Sequence, residues 1–259
     1  MYRASPKDGI AWVTGASTGI GRAVALELVR RGWRVAVSAR GADLLRSLAE
    51  EAKALGGVVD VYPGDVTDRA AMASVVADIE AKSGAISLAL LNAGGFFPDP
   101  RGEFVGENFR ATMRLNSDGA LNCLEPVLPP MQARKRGQIV VVSSVAGYGG
   151  LPTAASYCMA KAGVIAMCES LKILLERAGI SIQVVCPGYV KTPLSDKAKG
   201  PKPFMIPVDD AARRMCDGFE RGGFEISFPK RLAWFLKIMN RLPYPAYFWL
   251  QSLGVSRFS

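Results

Sequence analysis

The residues best suited to chemistry are Tyr157 and Lys161, which lie four positions apart. On a helix, side chains with this spacing leave the same face. A free tyrosine has a pKa of about 10, too high for acid–base work at neutral pH, but a nearby ammonium group stabilises the phenolate and lowers that pKa. Such a phenol can give a proton to a carbonyl oxygen or take one from an alcohol. The pair therefore predicts acid–base chemistry that needs no histidine.

A glycine-rich segment, TGASTGIG at positions 14–21, follows an apolar run and opens a helical pattern. Glycines at such a turn let the backbone approach a ligand closely, and the free N–H groups at a helix start bind phosphate. Because the segment lies directly after the first expected strand, it predicts a dinucleotide site.

The composition excludes several other functions. The chain has 259 residues, no histidine, five cysteines without a C-x-x-C pair, and a net charge of +9. The absence of histidine excludes Ser-His-Asp hydrolysis and histidine-metal sites, and no metal site is expected. The cysteines are typical of reduced thiols, and the first residues lack a signal-peptide pattern, so we expect a cytoplasmic protein. No nucleic-acid-binding motif accompanies the positive charge.

Short β-branched runs alternate with amphipathic stretches along most of the chain. This βαβ alternation predicts an α/β fold: one doubly wound, Rossmann-like parallel sheet of about seven strands, with helices on both faces, in a single domain over residues 1–259. The expected strands are 10–14, 34–38, 58–62, 86–91, 138–143, 181–186 and 224–228, and the expected helices are 20–31, 42–55, 68–83, 104–134, 154–178 and 209–221.

These landmarks together resemble the short-chain dehydrogenase/reductase family, in its TGxxxGxG subgroup. The resemblance rests on the glycine segment, Asn92-Ala93-Gly94, Asn116, Ser144, Tyr157-x-x-x-Lys161 and Pro187-Gly188. It implies an oxidoreductase that moves a hydride between a nicotinamide cofactor and a carbonyl or secondary alcohol. It also implies a homodimer or homotetramer, paired through helices 104–134 and 154–178.

The resemblance assigns four catalytic residues, Asn116, Ser144, Tyr157 and Lys161. Ser144 would bind the substrate oxygen beside Tyr157, with Ser143 as the rival for this role. Lys161 would bind the nicotinamide ribose and tune Tyr157, and Asn116 would bend its helix and hold a water on a proton path. The expected cofactor residues are Gly15, Ser17, Thr18, Gly19, Ile20, Gly21, Ser38, Arg40, Asp65, Val66, Asn92, Ala93, Gly94, Tyr157, Lys161, Pro187, Gly188, Val190 and Thr192.

The choice of cofactor depends on charge after the second strand. An acid there would bind the ribose 2′-hydroxyl of NAD and repel the 2′-phosphate of NADP. The chain instead has Ser38-Ala39-Arg40-Gly41, and Arg40 can bind phosphate. NADP(H) is therefore favoured, and NAD(H) stays open because Thr18 replaces the basic residue that some NADP-preferring members carry.

Substrate recognition is expected in two less regular regions. Residues 191–208 correspond to the family's substrate lid, and residues 228–259 form a basic and aromatic extension. The extension could cap the pocket, pack on another subunit or lie on an anionic membrane. The expected pocket is apolar, which favours a hydrophobic, lipid-like substrate; its residues are Phe96, Tyr148, Leu151, Tyr189 and Met205.

Two alternatives remain at this point. A 3-oxoacyl thioester on an acidic carrier protein would also suit a chain of net charge +9. From a different functional class, the chain could bind NADP as a regulator without turnover. The presence of all four catalytic residue types argues against the regulator.

Overall fold

The computed structural model describes residues 2–97, 103–196 and 202–255. Its centre is one parallel sheet of seven strands in the order β3-β2-β1-β4-β5-β6-β7. The strands are short, mostly buried apolar runs, as a sheet covered on both faces requires: β1 Ile10–Thr14, β2 Val35–Ser38, β3 Val59–Val61, β4 Ile86–Leu91, β5 Gly137–Val142, β6 Ile180–Pro187 and β7 Glu225–Phe228.

Helices cover both faces of the sheet and separate its residues into two apolar cores. The apolar faces seen in the sequence pattern lie against the strands, which is how amphipathic helices bury their hydrophobic surface. The helices are α1 Gly19–Arg30, α2 Ala42–Ala54, α3 Arg69–Lys82, α4 Gly106–Met113, α5 Gly119–Arg134, α6 Ala155–Arg177, α7 Pro193–Asp196, α8 Val208–Arg221, α9 Lys230–Met239 and α10 Tyr244–Val255.

This architecture confirms the expected doubly wound α/β fold. All seven expected strands are present within a few residues of their predicted bounds. The expected helix over 104–134 is not continuous, because a π-helical turn at Arg114–Asp118 separates α4 from α5. The extension after β7 forms two helices, α9 and α10, and its residues 256–259 lie outside the described part of the chain.

The strand order reverses between β1 and β4, which are neighbours in the sheet although two strands separate them in the chain. At such a switch point, the loops after the two strands diverge and leave a crevice at their carboxyl ends, where doubly wound folds bind ligands. The glycine segment follows β1 and Asn92-Ala93-Gly94 follows β4. The topology therefore brings both motifs to one crevice.

Candidate active site

The glycine segment leads from β1 into α1. Gly15 has φ of +66°, and a Cβ there would lie 2.8 Å from the Cα of Ala93, so this position requires glycine. Thr18 precedes the helix without a side-chain cap, and no acid occupies the first turn. The N–H groups at the start of α1 are therefore available to an anion. Ser17, Gly19, Ile20 and Gly21 complete this turn.

Asn92 and Thr14 hold the two sides of the crevice together. The Thr14 Oγ1 accepts hydrogen bonds from the backbone N–H groups of Asn92 (3.0 Å) and Ala93 (3.2 Å). The Asn92 Nδ2 in turn donates to the Thr14 carbonyl at 3.0 Å. The Asn92 side chain thus fixes the loop, and the backbone of residues 92–94 is what borders the crevice. Sequence reasoning did not assign a role to Thr14, although it is the first residue of the glycine motif.

Gly94 marks the place where two of the expected catalytic side chains meet. A Cβ at Gly94 would lie 2.8 Å from Asn116 Oδ1 and 3.3 Å from Lys161 Nζ. Both side chains are buried, at 1% and 3% exposure. The Lys161 Nζ donates to the Val142 carbonyl at 3.0 Å. Gly94 therefore has to be glycine, because a side chain there would collide with a buried amide and a buried amine.

Asn116 lies in the middle of the π-helical turn, a distortion that often occurs at functional sites. Its Nδ2 donates to the carbonyls of Gly95 (2.8 Å) and Thr112 (2.9 Å), and its Oδ1 accepts from the Gly95 N–H at 3.3 Å. These bonds join the helix to the loop after β4. The helix is distorted here, as the resemblance implied.

Ser144 and Tyr157 are hydrogen-bonded through their side chains. Ser144 lies just after β5, where its Oγ accepts from the Ala146 N–H at 3.1 Å and contacts the Pro187 carbonyl at 3.4 Å. Its rival Ser143 is buried, and its hydroxyl donates to the Lys161 carbonyl at 2.7 Å. The structure therefore brings Ser144 to the phenol and directs Ser143 into α6.

The pKa values of Tyr157 and Lys161 differ from those that the sequence analysis expected. Burial raises the pKa of Tyr157 to about 12, and the hydrogen bond with Ser144 acts in the opposite direction. Burial also lowers the pKa of Lys161 to about 8. We expected Lys161 to lower the pKa of Tyr157, but its Nζ lies 5.7 Å from the centre of the phenol ring and is bonded to Val142. At neutral pH the phenol is therefore protonated, which is the form that donates a proton.

Only some of the residues expected to bind the adenosine part of the cofactor are accessible to a ligand. Ser38 is fully buried, and its Oγ accepts a hydrogen bond from Trp12 Nε1 at 3.0 Å, so its side chain is directed into the sheet. Arg40 is exposed and forms no hydrogen bond or ion pair within the described residues. Burial acts to raise the pKa of Asp65, but hydrogen bonds from Thr67 and nearby arginine charges hold it below its usual value. Val66 is buried beside it.

The segment after β6 crosses to the glycine loop. Pro187 ends β6, and the Gly188 N–H donates to the Phe228 carbonyl at 2.7 Å. Val190 is buried and forms an isolated bridge with Ile206. Thr192 lies against Gly19, since a Cβ at Gly19 would be 3.4 Å from Thr192 Cγ2. The expected nicotinamide segment is thus at the crevice.

Of the expected lid over residues 191–208, positions 197–201 lie outside the described residues. The two described ends are joined, because Lys191 N–H donates to the Ile206 carbonyl and Ile206 N–H donates to the Tyr189 carbonyl, each at 3.0 Å. Helix α7 lies within this segment. The base of the segment is therefore anchored beside β6.

Among the expected substrate residues, Phe96 contacts Tyr157 directly, with the two rings edge to face and 5.4 Å apart. Tyr189 and Leu151 are half-buried against the core, and Met205 is exposed. Tyr148 does not lie where the sequence analysis expected it, in the substrate pocket. Its hydroxyl donates to Glu225 at 3.0 Å, and its ring lies beneath Lys237 of α9.

The contact between Tyr148, Glu225 and Lys237 was not expected from the sequence. Glu225 accepts from Tyr148 and forms an ion pair with Lys237. Tyr148 thus packs with the C-terminal extension instead of facing the crevice. The three residues are far apart in the chain and belong to no motif, so only the fold brings them together.

These residues fit a nicotinamide dinucleotide. The crevice offers free helix N–H groups for a pyrophosphate, glycine backbone on both sides, and a close approach of the Gly94 backbone to Lys161. When bound, a nicotinamide supplies or accepts the hydride. The chain itself provides a protonated phenol, a hydroxyl bonded to it, and a buried amine, which suits proton transfer at a substrate oxygen.

Comparison with known proteins agrees with this geometry. The family model described as short chain dehydrogenase matches residues 9–202. A protein of Myxococcus xanthus described as an uncharacterized oxidoreductase is 38% identical, covering 92% of this chain and 94% of its own length. The 3-oxoacyl-[acyl-carrier-protein] reductase FabG of Thermotoga maritima is 35% identical and covers 73% of this chain and 76% of its own length.

Two solved structures are similar in fold. A variant of actinorhodin polyketide ketoreductase with NADPH superimposes with a TM-score of 0.79 at 26% identity, covering 89% of this chain and 99% of its own. A short chain dehydrogenase/reductase from Burkholderia phymatum in complex with NAD gives a TM-score of 0.83 at 20% identity, over 92% and 94% of the two chains. The second likeness concerns the fold alone.

Proposed function

This chain belongs to the short-chain dehydrogenase family and is an oxidoreductase, and from that premise we propose that it transfers a hydride between NADP(H) and a hydrophobic ketone or secondary alcohol. The observation that supports this most is a chain of close approaches: Asn116 and Lys161 meet at Gly94, Lys161 lies 5.7 Å from the Tyr157 ring centre, and Ser144 is paired with Tyr157. A protein that bound a nucleotide without turnover would have no chemical need for this arrangement.

In the proposed reaction, the Tyr157 hydroxyl gives its proton to the carbonyl oxygen during reduction and takes it back during oxidation. Ser144 donates a hydrogen bond to the same oxygen and so stabilises the charge that develops there. Lys161 orients the ribose and replaces the proton of Tyr157. Asn116 is a positioning residue, because its bonds to Gly95 and Thr112 fix the wall beside Lys161.

A matched pair of serine variants tests this assignment. We expect Ser144→Ala to lower kcat about a hundredfold, because it removes a hydrogen bond to the substrate oxygen. Ser143→Ala should leave kcat within about threefold but lower stability by about 1 kcal/mol, since it removes a buried bond to Lys161. Steady-state kinetics and thermal unfolding distinguish the two. Equal loss of kcat in both variants would contradict the assignment.

For the cofactor, we propose NADP(H) over NAD(H). The support is an exposed Arg40 directly after β2, with no acid at the positions around it, since Ser38, Ala39 and Gly41 complete the turn. A guanidinium group suits a 2′-phosphate, which it can bind through two charge-assisted hydrogen bonds.

We expect Arg40→Glu to raise the KM for NADPH about tenfold to a hundredfold, because the charge-assisted contact is worth about 1.5–3 kcal/mol and the new acid repels phosphate. The KM for NADH should change little. Arg46→Glu makes the same charge change on the surface of α2, where Arg46 pairs with Asp43, and is the matched control. An unchanged NADPH/NADH ratio in Arg40→Glu would argue against this contact.

For the substrate, we propose a hydrophobic carbonyl compound. The support is Phe96 against the Tyr157 ring and the exposed, apolar Met205 at the end of the expected lid. The second candidate is a 3-oxoacyl thioester on an acidic carrier protein. It is favoured by the similarity to reductases named for such substrates and by a net charge of +9, which would attract an acidic carrier.

The test is NADPH oxidation with a panel of hydrophobic ketones, 3-oxoacyl thioesters and polar sugars, each repeated with NADH. Turnover of ketones or thioesters supports the proposal and chooses between its two forms. Tight NADPH binding without turnover of any member would instead support a regulator. At saturating NADPH, salt should weaken the reaction most with a carrier-bound thioester, since screening acts on charged partners.

We also propose a cytoplasmic homo-oligomer. The outer face of α6 carries Ile173 and Leu174, both more than 60% exposed, which suits pairing of this helix with a second copy. Light scattering of the purified chain checks this, and Leu174→Glu should shift the mass toward the monomer.

A further inference from the structure

The C-terminal helices α9 and α10 carry large apolar side chains on their outer sides. Their inner sides pack on the core through Leu232, Leu236 and Tyr247. The outer side chains are 58–75% exposed although they are aromatic or aliphatic, and among the described residues they form the main concentration of exposed aromatic side chains: Trp234, Phe235, Ile238, Tyr244, Phe248 and Trp249. We call these six residues the outer aromatic face.

Exposed basic residues lie at both ends of α9, beside the outer aromatic face. Between residues 226 and 259 the chain has five basic residues and no acidic one. Lys230, Arg231 and Arg241 are exposed. Lys237 is neutralised by Glu225, which also accepts from Tyr148, so Glu225 does not offset the exposed basic residues. The face is therefore aromatic at its centre and cationic at its edges.

We propose that the outer aromatic face docks on the surface of an anionic lipid bilayer. Tryptophan and tyrosine are the residues enriched at the membrane–water interface, and basic residues beside them attract anionic headgroups. No helix among the described residues is long and apolar enough to cross a bilayer, so the helices would lie along the interface. Pairing of this face with a second copy is disfavoured, because it would bring like charges together.

Docking would place the loop between β5 and α6 near the lipid. The Tyr247 hydroxyl donates to the Gly150 carbonyl at 2.6 Å, and Gln251 donates to the same carbonyl at 2.5 Å. Gly150 lies six positions after Ser144, in the loop between β5 and α6. This second part of the inference rests on the proposed function: the substrate class becomes carbonyl compounds that partition into membranes.

The experiment uses the full chain with vesicles of phosphatidylcholine alone or with one quarter phosphatidylglycerol, at 50 and 500 mM salt. We expect sedimentation with the anionic vesicles at low salt, and at least tenfold weaker binding at high salt or without anionic lipid. Trp234 and Trp249 are exposed, whereas Trp12 and Trp33 are 0% and 5% exposed, so a blue shift of tryptophan emission on docking reports on the outer aromatic face.

Two double variants separate this face from general surface hydrophobicity. Trp234→Gln with Phe248→Gln should reduce vesicle binding at least tenfold, and both positions are exposed, so the fold is preserved. Leu55→Gln with Val58→Gln removes exposed apolar side chains beside α2 and should leave binding unchanged. Arg231→Glu with Arg241→Glu should also abolish binding.

Three results would overturn the inference. The first is that the folded chain does not sediment with anionic vesicles, and the second is that the Trp234/Phe248 double variant sediments as well as the wild type. The third is that the wild type is a dimer without lipid and that this variant converts it to a monomer, which would assign the face to a second copy. Turnover of a water-soluble ketone without vesicles is measured in parallel. Loss of vesicle binding with normal turnover refutes docking alone, whereas docking without turnover refutes the proposed function alone.

Discussion

Replacing Tyr157 with phenylalanine is expected to lower kcat for carbonyl reduction about a thousandfold, in the middle of the range for removal of a general acid. The variant keeps the ring, including its edge-to-face contact with Phe96, and loses only the hydroxyl. The affinity for NADPH should stay within about twofold, because no contact of the phenol oxygen is needed to hold the phosphates at α1. Steady-state kinetics and NADPH fluorescence titration measure the two quantities.

The fold should survive this change. Ser144 retains its contacts with the Ala146 N–H and the Pro187 carbonyl, so no buried partner loses all its hydrogen bonds. Tyr62→Phe is the matched control, since it removes a phenol bonded to Ser83 at 2.7 Å just after the edge strand β3. If Tyr157→Phe retained more than a tenth of the wild-type kcat, Tyr157 would not be the proton donor.

Lys161→Met should lower kcat about as much as Tyr157→Phe does, but it should also weaken cofactor binding. We expect kcat to fall by a factor on the order of 10²–10⁴, and the KM for NADPH to rise as well, because the amine is proposed both to replace the proton of Tyr157 and to hold the ribose. This combined loss distinguishes it from Tyr157→Phe. Lys172→Met removes a lysine of the same helix that pairs with Glu176, and should affect neither parameter.

The same variant has a stability signature. Burial lowers the pKa of Lys161 from 10.5 to about 8, so between these values the unfolded chain binds a proton that the folded chain does not. The contribution of Lys161 to stability therefore rises with pH, by about 3 kcal/mol in total. The free energy of unfolding of the wild type, minus that of Lys161→Met, should increase by about this amount from pH 7 to pH 10.5.

Taking this difference removes titrating groups that do not interact with Lys161. Burial raises the pKa of Cys123 and Cys168, for example, but both proteins contain these thiols. A difference independent of pH would show that Lys161 titrates alike in the folded and unfolded chains. Denaturant unfolding at several pH values provides the measurement.

The sheet was predictable because its signal is local. Most strand residues are β-branched or apolar and buried, and the positions of all seven strands follow from that pattern within a few residues. The crevice was also predictable, since parallel strands place the ends of β1 and β4 together once their order is known. The glycine segment and Asn92-Ala93-Gly94 lie at these ends.

The features that the sequence analysis did not predict correctly depend on contacts between residues far apart in the chain. The burial of Ser38 follows from its bond with Trp12 of the neighbouring strand, which no local pattern indicates. The break in helix 104–134 depends on the bonds of Asn116 to Gly95 and Thr112. The direction of the Tyr157 pKa shift was wrong because the sequence gives the charge of Lys161 but not the degree of burial of the phenol.

In the C-terminal extension, Leu232, Phe235, Leu236, Met239 and Leu242 share one helical stripe by their spacing. The structure buries Leu232, Leu236 and Met239 and leaves Phe235 58% exposed. The helix pattern gives the faces of α9, but it cannot show how much of the apolar face the core covers.

The bonds from α10 to Gly150 also have a consequence for the order of folding during synthesis. Tyr247 is separated from Gly150 by 97 positions, so the ribosome releases the loop after β5 long before its partner. Residues up to β4 can pair and form the nucleotide crevice while later segments are still being translated, since chains tend to fold from the N-terminus as they emerge. A nascent or clipped chain without α10 would then hold its nucleotide but lack both hydrogen bonds from α10 to Gly150, so the loop beyond Ser144 would acquire its final anchor last.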